Sequence, residues 1–369
     1  MNAYEVYSTY LFSKAGALGI PLSGTFELTA RCNLDCKMCY IHKRENDSTV
    51  RCRERSAEQW LALASECQKA GLLHLLLTGG EPMLRPDFKE IYAGCRQLGL
   101  LVSINSNATL INDDMVAFLA ANPPARINIT LYGASAATYG ALCGDASAYQ
   151  RVVRSILALK EAGVSVKLNF STTAYNHHET AEVFHFAKAH GISIQAASYM
   201  FPATRACENG CCESERMTPA ESAREQLVQE QLHFTREEMR ERLEKKLAGI
   251  RVADPNTECQ ELPTERLRCR AGSSTFWVTW DGQLRPCGIM TKPSVDISVD
   301  FLQAWKAIRA AREEIYIPAQ CTSCEIAHAC DQCAAICQAE TGSFTEVPRY
   351  MCERTKEYLS LARKMIEVL

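Results

Sequence analysis

Short apolar segments alternate with amphipathic ones along the first half of this chain, from Thr25 to about Phe201. The apolar segments read as strands, and several of the segments between them place apolar residues at helical spacing, one after a capping-box pattern at Ser56 and Gln59. Strands separated by helices pair in parallel, so the sequence predicts an α/β fold, either an open doubly wound sheet or a partial (β/α)6 TIM-like barrel. The predicted strands are residues 25–29, 73–77, 101–106, 126–131, 164–170 and 192–199.

Nineteen cysteines set this chain of 369 residues apart from an ordinary globular protein. Residues 1–21 lack the basic start and apolar block of a secretory signal, and no segment offers about 18 uninterrupted apolar residues. A cytoplasmic location is therefore expected, where disulfides are rare and clustered thiolates bind metal or carry out redox chemistry. The net charge of −3 gives no basic surface for nucleic acid or for an anionic membrane.

Three of the cysteines, Cys32, Cys36 and Cys39, follow the first predicted strand at C-x3-C-x2-C spacing. Three thiolates suit a cubane iron–sulfur cluster that leaves one iron open to a ligand, whereas a structural zinc site or a ferredoxin-type cluster uses four. Because cysteine is frequent throughout this chain, the triplet alone does not decide between these sites. The segments after the next strands supply the deciding context.

Polar or glycine-bearing segments end the second, third and fourth predicted strands. The first of them, residues 78–82, reads Thr-Gly-Gly-Glu-Pro; its glycines let backbone approach a ligand closely, and Glu81 offers a carboxylate to an ammonium group. Catalytic and cofactor groups assemble on the rim where the carboxyl ends of barrel strands meet. We therefore expect the cysteine loop to share a cavity with these strand ends, which include Gly79, Gly80, Ser106, Asn107 and Thr130.

The cysteine triplet followed by the Gly-Gly-Glu segment resembles the radical S-adenosylmethionine (SAM) superfamily over about residues 24–200. The resemblance implies that the triplet binds three irons of a [4Fe–4S] cluster and that SAM binds the fourth iron through its amino and carboxylate groups. It also implies that residues 79–81 contact the methionine amine. Further candidate contacts to SAM are Met38 and Tyr40 near the adenine, and Ser106, Asn107 and Thr130 near the ribose or the carboxylate.

A second group of cysteines lies in the C-terminal part of the chain, too tightly clustered for a disulfide framework. Seven of them, with Gly282 between the first two, resemble the SPASM-type domain of radical enzymes that act on peptides and proteins, over about residues 259–355. The resemblance implies two auxiliary [4Fe–4S] clusters. The outer cluster would be held by Cys321, Cys324, Cys330 and Cys352, and the inner one by Cys269, Cys287 and Cys333.

The sequence defines the inner auxiliary cluster less completely than the outer one. In such domains three residues usually separate the fifth cysteine from the sixth, but here only two separate Cys330 from Cys333. The sixth ligand is therefore either Cys333 or Cys337, and we favour Cys333. The fourth ligand is Cys259, Cys337 or an open site. An open iron would bind a substrate thiolate, whereas a closed cluster would only relay electrons. A pair of zinc knuckles that staple the fold is the alternative interpretation.

These assignments divide the chain into four parts: an N-terminal segment (residues 1–24), the partial barrel (25–201), a helical connector (202–258) and a cysteine-rich α+β domain with a C-terminal helix (259–369). The connector is rich in Glu, Arg and Gln. Its helical run, from about Pro219 to Leu247, is interpreted as a solvated or variable linker. In the last part, a strand at residues 274–279 turns at Asp281-Gly282.

The resemblance implies that the chain cleaves SAM reductively to a 5′-deoxyadenosyl radical, which abstracts hydrogen from the substrate. The leading expectation is thioether or carbon–carbon cross-linking of side chains in a ribosomally made peptide, with electron loss to an auxiliary cluster permitting the new bond. Formylglycine formation, as in anaerobic sulfatase maturases, and dehydrogenation or epimerisation of a small molecule are the enzymatic alternatives. An electron carrier or a zinc-stabilised binding protein is the non-enzymatic one.

Three partners are expected for such an enzyme: a peptide or protein substrate, a flavodoxin- or ferredoxin-type electron donor, and a separate peptide-recognition protein. The recognition protein is expected because only about 24 residues precede the barrel, too few for a fused recognition domain. Alternatively, the cleft between the two domains recognises the peptide. No motif in the sequence supplies a dedicated catalytic acid or base.

Overall fold

The computed structural model describes residues 3–41, 43–205, 216–250, 267, 269–298 and 300–369. Its barrel portion consists of α1 (Ala3–Leu18), β1 (Ser23–Glu27), β2 (Arg31–Cys32), β3 (Lys43–Arg44), α2 (Ser48–Arg51), α3 (Ala57–Lys69), β4 (His74–Thr78), α4 (Phe88–Gln97), β5 (Leu101–Ser106), α5 (Asp113–Ala121), β6 (Arg126–Thr130), α6 (Ala136–Cys143), α7 (Ala148–Glu161), β7 (Val166–Ser171), α8 (Thr180–Ala189) and β8 (Ser193–Ala197). The remaining elements are α9 (Pro219–His233), α10 (Arg236–Ala248), β9 (Thr275–Val278), β10 (Gln283–Arg285), β11 (Val295–Asp296), α11 (Phe301–Arg312), α12 (Ala319–Thr322), α13 (Ala334–Thr341) and α14 (Arg349–Ile366).

Nine strands form one sheet in the order β11-β10-β9-β1-β4-β5-β6-β7-β8. From β1 through β8 the neighbours are parallel and follow chain order, without the reversal that marks a doubly wound sheet. This arrangement is the partial barrel of six β/α units that the sequence predicts. All six predicted strands are present, with ends that differ by no more than two residues.

The two faces of this sheet differ in chemistry because successive side chains of a strand point to opposite sides. The outer face is apolar: Phe26, Leu77 and Ile104 are fully buried and belong to the main core, together with Trp60 of α3. The capping box predicted at Ser56 and Gln59 begins that helix. The inner face carries polar residues near the strand ends, among them Glu27, Thr78, Asn105, Thr130 and Ser171.

The C-terminal part of the chain extends the barrel sheet. β9 pairs in parallel with β1, and β10 and β11 continue the sheet beyond it. The ring of Phe276 in β9 packs on those of Phe26, Phe301 and Trp305. The cysteine-rich part is therefore attached to the barrel through a shared sheet and a shared core.

The polar connector, in the part that the structure describes, contains the predicted helical run, and the expectation that this run is solvated does not hold for its first helix. It forms two helices that separate at Phe234, and α9 packs between α8 and α14. Apolar side chains of α9 and α14 form a buried cluster there, and polar pairs lie beside it: Ser222 Oγ donates to the Ser198 carbonyl at 2.7 Å and accepts from Arg354 Nε at 2.9 Å. These hydrogen bonds satisfy buried polar groups that the polar composition of the connector would place in solvent.

In the part of the chain that the structure describes, no helix has both the length and the apolar character needed to cross a membrane.

Candidate active site

A cavity of about 310 Å³ opens at the rim where the carboxyl ends of the barrel strands meet. Cys36 and Cys39 line it, so the cysteine loop and the strand ends share one space, as the sequence predicts. Seven of the eight predicted SAM contacts also line it: Met38, Tyr40, Gly79, Gly80, Ser106, Asn107 and Thr130. The structure thus brings these residues together, while their contacts with SAM stay predictions.

The glycine pair after β4 is required by the close approach of the cysteine loop. The backbone N–H of Gly80 donates to the Thr29 carbonyl at 2.8 Å. A Cβ at Gly79 would lie 2.4 Å from the Thr29 oxygen, and a Cβ at Gly80 would lie 2.3 Å from the Arg31 oxygen. Backbone atoms cannot yield to such contacts, so only glycine fits at either position. The pair holds the end of β4 against the segment that leads into the cysteines.

Glu81, the eighth predicted contact, lies behind the cavity wall and is fully buried. Its carboxylate accepts hydrogen bonds from the backbone N–H of Met83 at 3.0 Å, from Ser106 Oγ at 3.0 Å and from the backbone N–H of Asn107 at 2.8 Å. Burial raises its pKa to about 7, although these hydrogen bonds act in the opposite direction. In this structure Glu81 therefore ties the segment after β4 to the end of β5.

Glu81→Ala should weaken SAM binding and lower the thermal stability together. The change leaves the backbone N–H groups of Met83 and Asn107 without an acceptor, and a buried unpaired donor costs about 1–3 kcal/mol. Calorimetric SAM titration and thermal unfolding measure the two effects. If Glu81→Ala binds SAM weakly but unfolds at the same temperature as the parent, the carboxylate contacts the methionine amine directly.

The raised pKa of Glu81 also gives this carboxyl a defined pH dependence. Its pKa is about 7 in the folded chain against a usual 4.5, so the folded state favours the protonated form. The resulting contribution to stability is fully present below pH 4.5 and is lost as pH rises through 7. Removing the carboxyl in Glu81→Ala should remove this component from the pH profile of unfolding.

The thiols of Cys32 and Cys36 occupy a buried setting that disfavours their ionised forms when no metal is bound. Burial, and next the negative charge of Glu81, raise the pKa of Cys32. A hydrogen bond with Cys143, and then burial, raise the pKa of Cys36. Asn107 Nδ2 lies 3.5 Å from the Cys32 sulfur. Thiolates that bind iron are compensated by its charge, so this donor set fits an iron–sulfur cluster.

Sequence reasoning missed several residues at this site. The backbone N–H of Asp35 donates to the Cys143 carbonyl and that of Lys37 to the Leu142 carbonyl, each at 3.0 Å, so the end of α6 supports the cysteine loop. The position of some missed residues at or just after strand ends could have revealed them, because such residues reach the rim. No local signal marks a residue contributed by the C-terminal part. The missed cavity-lining residues include Tyr132, Ser171, Tyr199, Met200, Phe201 and Ile289.

The four cysteines predicted to hold the outer auxiliary cluster lie together in the C-terminal part. A small cavity of about 40 Å³ is lined by all of them, with apolar walls from Ile326 and Met351. Burial, followed by the charges of neighbouring cysteines, raises the pKa of Cys321 to about 12. The structure thus brings together the set Cys321, Cys324, Cys330 and Cys352.

The three cysteines predicted for the inner auxiliary cluster are also near one another. Cys269 and Cys333 line one cavity of about 450 Å³, and the pKa of each is raised by burial and then, more weakly, by the charge of Cys287. Cys337 is fully buried and accepts a hydrogen bond from Gln332 Nε2 at 2.9 Å. Cys259, the other candidate fourth ligand, lies outside the described residues. Within the described ranges, no three His, Cys, Asp or Glu side chains already form a site for a single metal ion.

Together, the rim cavity, the cysteine loop and the incomplete barrel define an enzyme that places a thiolate-bound cofactor at the carboxyl ends of its strands. Residues 26–187 match the family described as the Radical SAM superfamily. The barrel part of the chain is accordingly a radical SAM domain, and such a domain implies a [4Fe–4S] cluster and SAM.

Similar proteins extend this likeness to nearly the whole chain. The AdoMet-dependent heme synthase of Methanosarcina barkeri is 27% identical over 350 residues, which cover 89% of this chain and 95% of that protein. Streptococcus suis SuiB bound to precursor peptide SuiA aligns with a TM-score of 0.66 and 18% identity, over 95% of this chain and 81% of SuiB. Native anSMEcpe with bound AdoMet and Cp18Cys peptide aligns with a TM-score of 0.67 and 16% identity, over 94% and 98% of the two chains.

Proposed function

We propose that this enzyme oxidises side chains of a ribosomally made peptide by radical chemistry and leaves a thioether or carbon–carbon cross-link. Cys32, Cys36 and Cys39 would hold the cluster to which SAM binds. The bound cluster and SAM together supply a 5′-deoxyadenosyl radical, which takes a hydrogen atom from the substrate. A flavodoxin- or ferredoxin-type protein would deliver the electron that this chemistry consumes.

The observation that carries this proposal is the closeness of the inner cysteine group to the rim cavity. Ile289, which lines the cavity, is two residues from Cys287. Cys287 is also near enough to Tyr40, another lining residue, for its charge to affect the pKa of the phenol. A substrate held in this cavity would sit beside the group of thiols that we assign to an auxiliary cluster. This neighbourhood supports a net oxidation, in which the substrate loses an electron as well as a hydrogen atom.

The cavity walls suit a reactive intermediate that must be kept from water. Met38, Met200, Phe201 and Ile289 give one part of the lining an apolar character. Polar side chains from Ser106, Asn107, Thr130 and Ser171 provide hydrogen-bonding groups on another part. The polar part would orient SAM, and the apolar part would exclude solvent from the substrate carbon.

A peptide is the substrate class that we favour. SuiB bound to its precursor peptide and anSMEcpe bound to Cp18Cys peptide share the fold of this chain, which supports a peptide in the same cleft. A heme precursor is the second candidate, because the likeness to the heme synthase covers nearly all of both sequences. With either substrate, the site would remove electrons from the substrate.

One experiment separates these candidates. The enzyme, reconstituted anaerobically with iron and sulfide, is incubated with SAM, a reductant and either the short peptides encoded beside its gene or iron porphyrins that carry carboxyalkyl side chains. Mass spectrometry should show a peptide that loses two hydrogens, with an equal amount of 5′-deoxyadenosine formed. Conversion of the porphyrin with no change in any peptide would overturn the peptide proposal and support the second candidate.

A further inference from the structure

Arg285 of β10 lies on the same inner face of the sheet as the residues that line the rim cavity. The strand register establishes this: Arg285 is opposite Trp277, Trp277 is opposite Thr25, and Glu27, two residues further on, is opposite Thr78 of the cavity wall. Residues paired across a sheet, or two apart along a strand, point to the same face. Two strand spacings, roughly 10 Å, separate β10 from β1.

Glu27, a buried acidic residue on this face, already has partners. It is fully buried, and it accepts hydrogen bonds from Arg205 Nη1 at 2.8 Å, from Arg205 Nη2 at 2.5 Å and from Trp277 Nε1 at 2.7 Å. The Arg205 guanidinium also lies 4.8 Å from the ring centre of Tyr40, a cavity-lining residue. Arg205 and Glu27 therefore form a neutral pair beside the cavity.

Arg285 has no comparable partner. Its Nε and Nη1 atoms are closed to solvent and make no hydrogen bond with any described residue. Asp281 and Glu27 are the acidic residues whose charges reach it. Asp281 is exposed at the turn, where it accepts a hydrogen bond from Thr279 Oγ1 at 2.6 Å. Arg285 is partly buried, so two of its donors are withdrawn from water without an acceptor, and this guanidinium has the character of an anion-binding group.

We propose that Arg285 binds a carboxylate of the substrate beside the SAM cavity. The inference rests on the proposed function, since it requires a substrate in this cleft, and it adds the chemical group that the substrate must carry. A guanidinium presents two parallel N–H donors that match the two oxygens of a carboxylate. An acidic side chain or the C-terminus of a peptide would supply this group, and so would a carboxyalkyl side chain of a heme precursor.

The test uses the iron-loaded enzyme saturated with SAM and compares it with Arg285→Met. Donors withdrawn from water without an acceptor do not stabilise the fold, so the variant should have the same apparent Tm as the parent or one a few degrees higher. Propionate should raise the Tm of the parent and leave that of Arg285→Met unchanged. Propionamide, which has the same shape and no charge, should change neither protein. All scans are run anaerobically at one rate and constant ionic strength.

Arg205→Met is the matched control, because it leaves the buried Glu27 carboxylate without its cation and should lower the Tm clearly. An equal loss in Arg285→Met would show that Arg285 has a partner within the chain or at a cluster, and would overturn the proposal. So would propionate stabilisation that is the same in parent and variant. None of these readings requires turnover, so failure to modify a peptide would count only against the proposed function.

Discussion

Replacement of Cys32, Cys36 and Cys39 together by Ala should abolish SAM cleavage and lower the iron content from about twelve atoms per chain to about eight. Cys36 and Cys39 line the cavity in which the predicted partners converge, and three thiolates leave one iron open to SAM. The remaining iron would belong to the two auxiliary clusters. Iron analysis after anaerobic reconstitution and chromatography of 5′-deoxyadenosine measure the two effects.

The control is the double variant Cys67→Ala and Cys95→Ala, which removes two thiols that are fully buried in the main core. These thiols pack among apolar side chains, so their loss should reduce stability and leave both iron content and SAM cleavage unchanged. A colourless, zinc-loaded parent enzyme from strictly anaerobic purification would contradict the iron assignment at every site.

The barrel strands could be predicted because their signal is local. Each of the six segments is apolar, and each is separated from the next by helical residues. Parallel pairing in chain order then follows from the helical crossovers. The pairing of β9 with β1 could not be predicted, since Ser23 and Thr275 are distant in sequence and a four-residue strand carries no signal for its partner.

The cavity was predictable for a related reason, because residues that end parallel strands meet at one rim. The hydrogen bonds that Glu81 makes within the chain were not. A carboxylate beside two glycines suggests a ligand for an ammonium group, but its hydrogen bonds to Ser106 and Asn107 span about 25 residues and depend on how two loops pack. Burial of this kind depends on tertiary packing, which a local sequence pattern does not predict.

The connector shows the limit of composition as a guide. Its polar residues predict solvation, yet Glu230 is buried and accepts a hydrogen bond from Tyr358 at 2.6 Å. A buried polar residue is stable when its partner is supplied by a distant element, here α14. The same reasoning applies to Glu27 and Arg205, whose pairing across 178 residues has no local pattern.

Loss of the outer auxiliary cysteines should have a different effect from loss of the triplet. Cys324→Ala should abolish product formation and leave some unproductive formation of 5′-deoxyadenosine. Under the proposed function, generation of the radical would require only the site on the barrel rim, whereas removal of the substrate electron would require the C-terminal part. Iron content, 5′-deoxyadenosine and substrate mass are measured on the same sample.

Folding must be followed in the same experiment, because metal binding and folding are coupled in thiolate-rich segments. Cys352 lies in α14, which packs on α9, so its replacement risks the interface with the barrel. Cys324 lies in the loop after α12 and is the better choice. Circular dichroism should therefore be unchanged in Cys324→Ala. If this variant is folded, lacks about four irons and still gives product at the parental rate, the outer cluster is structural and the electron-relay hypothesis is wrong.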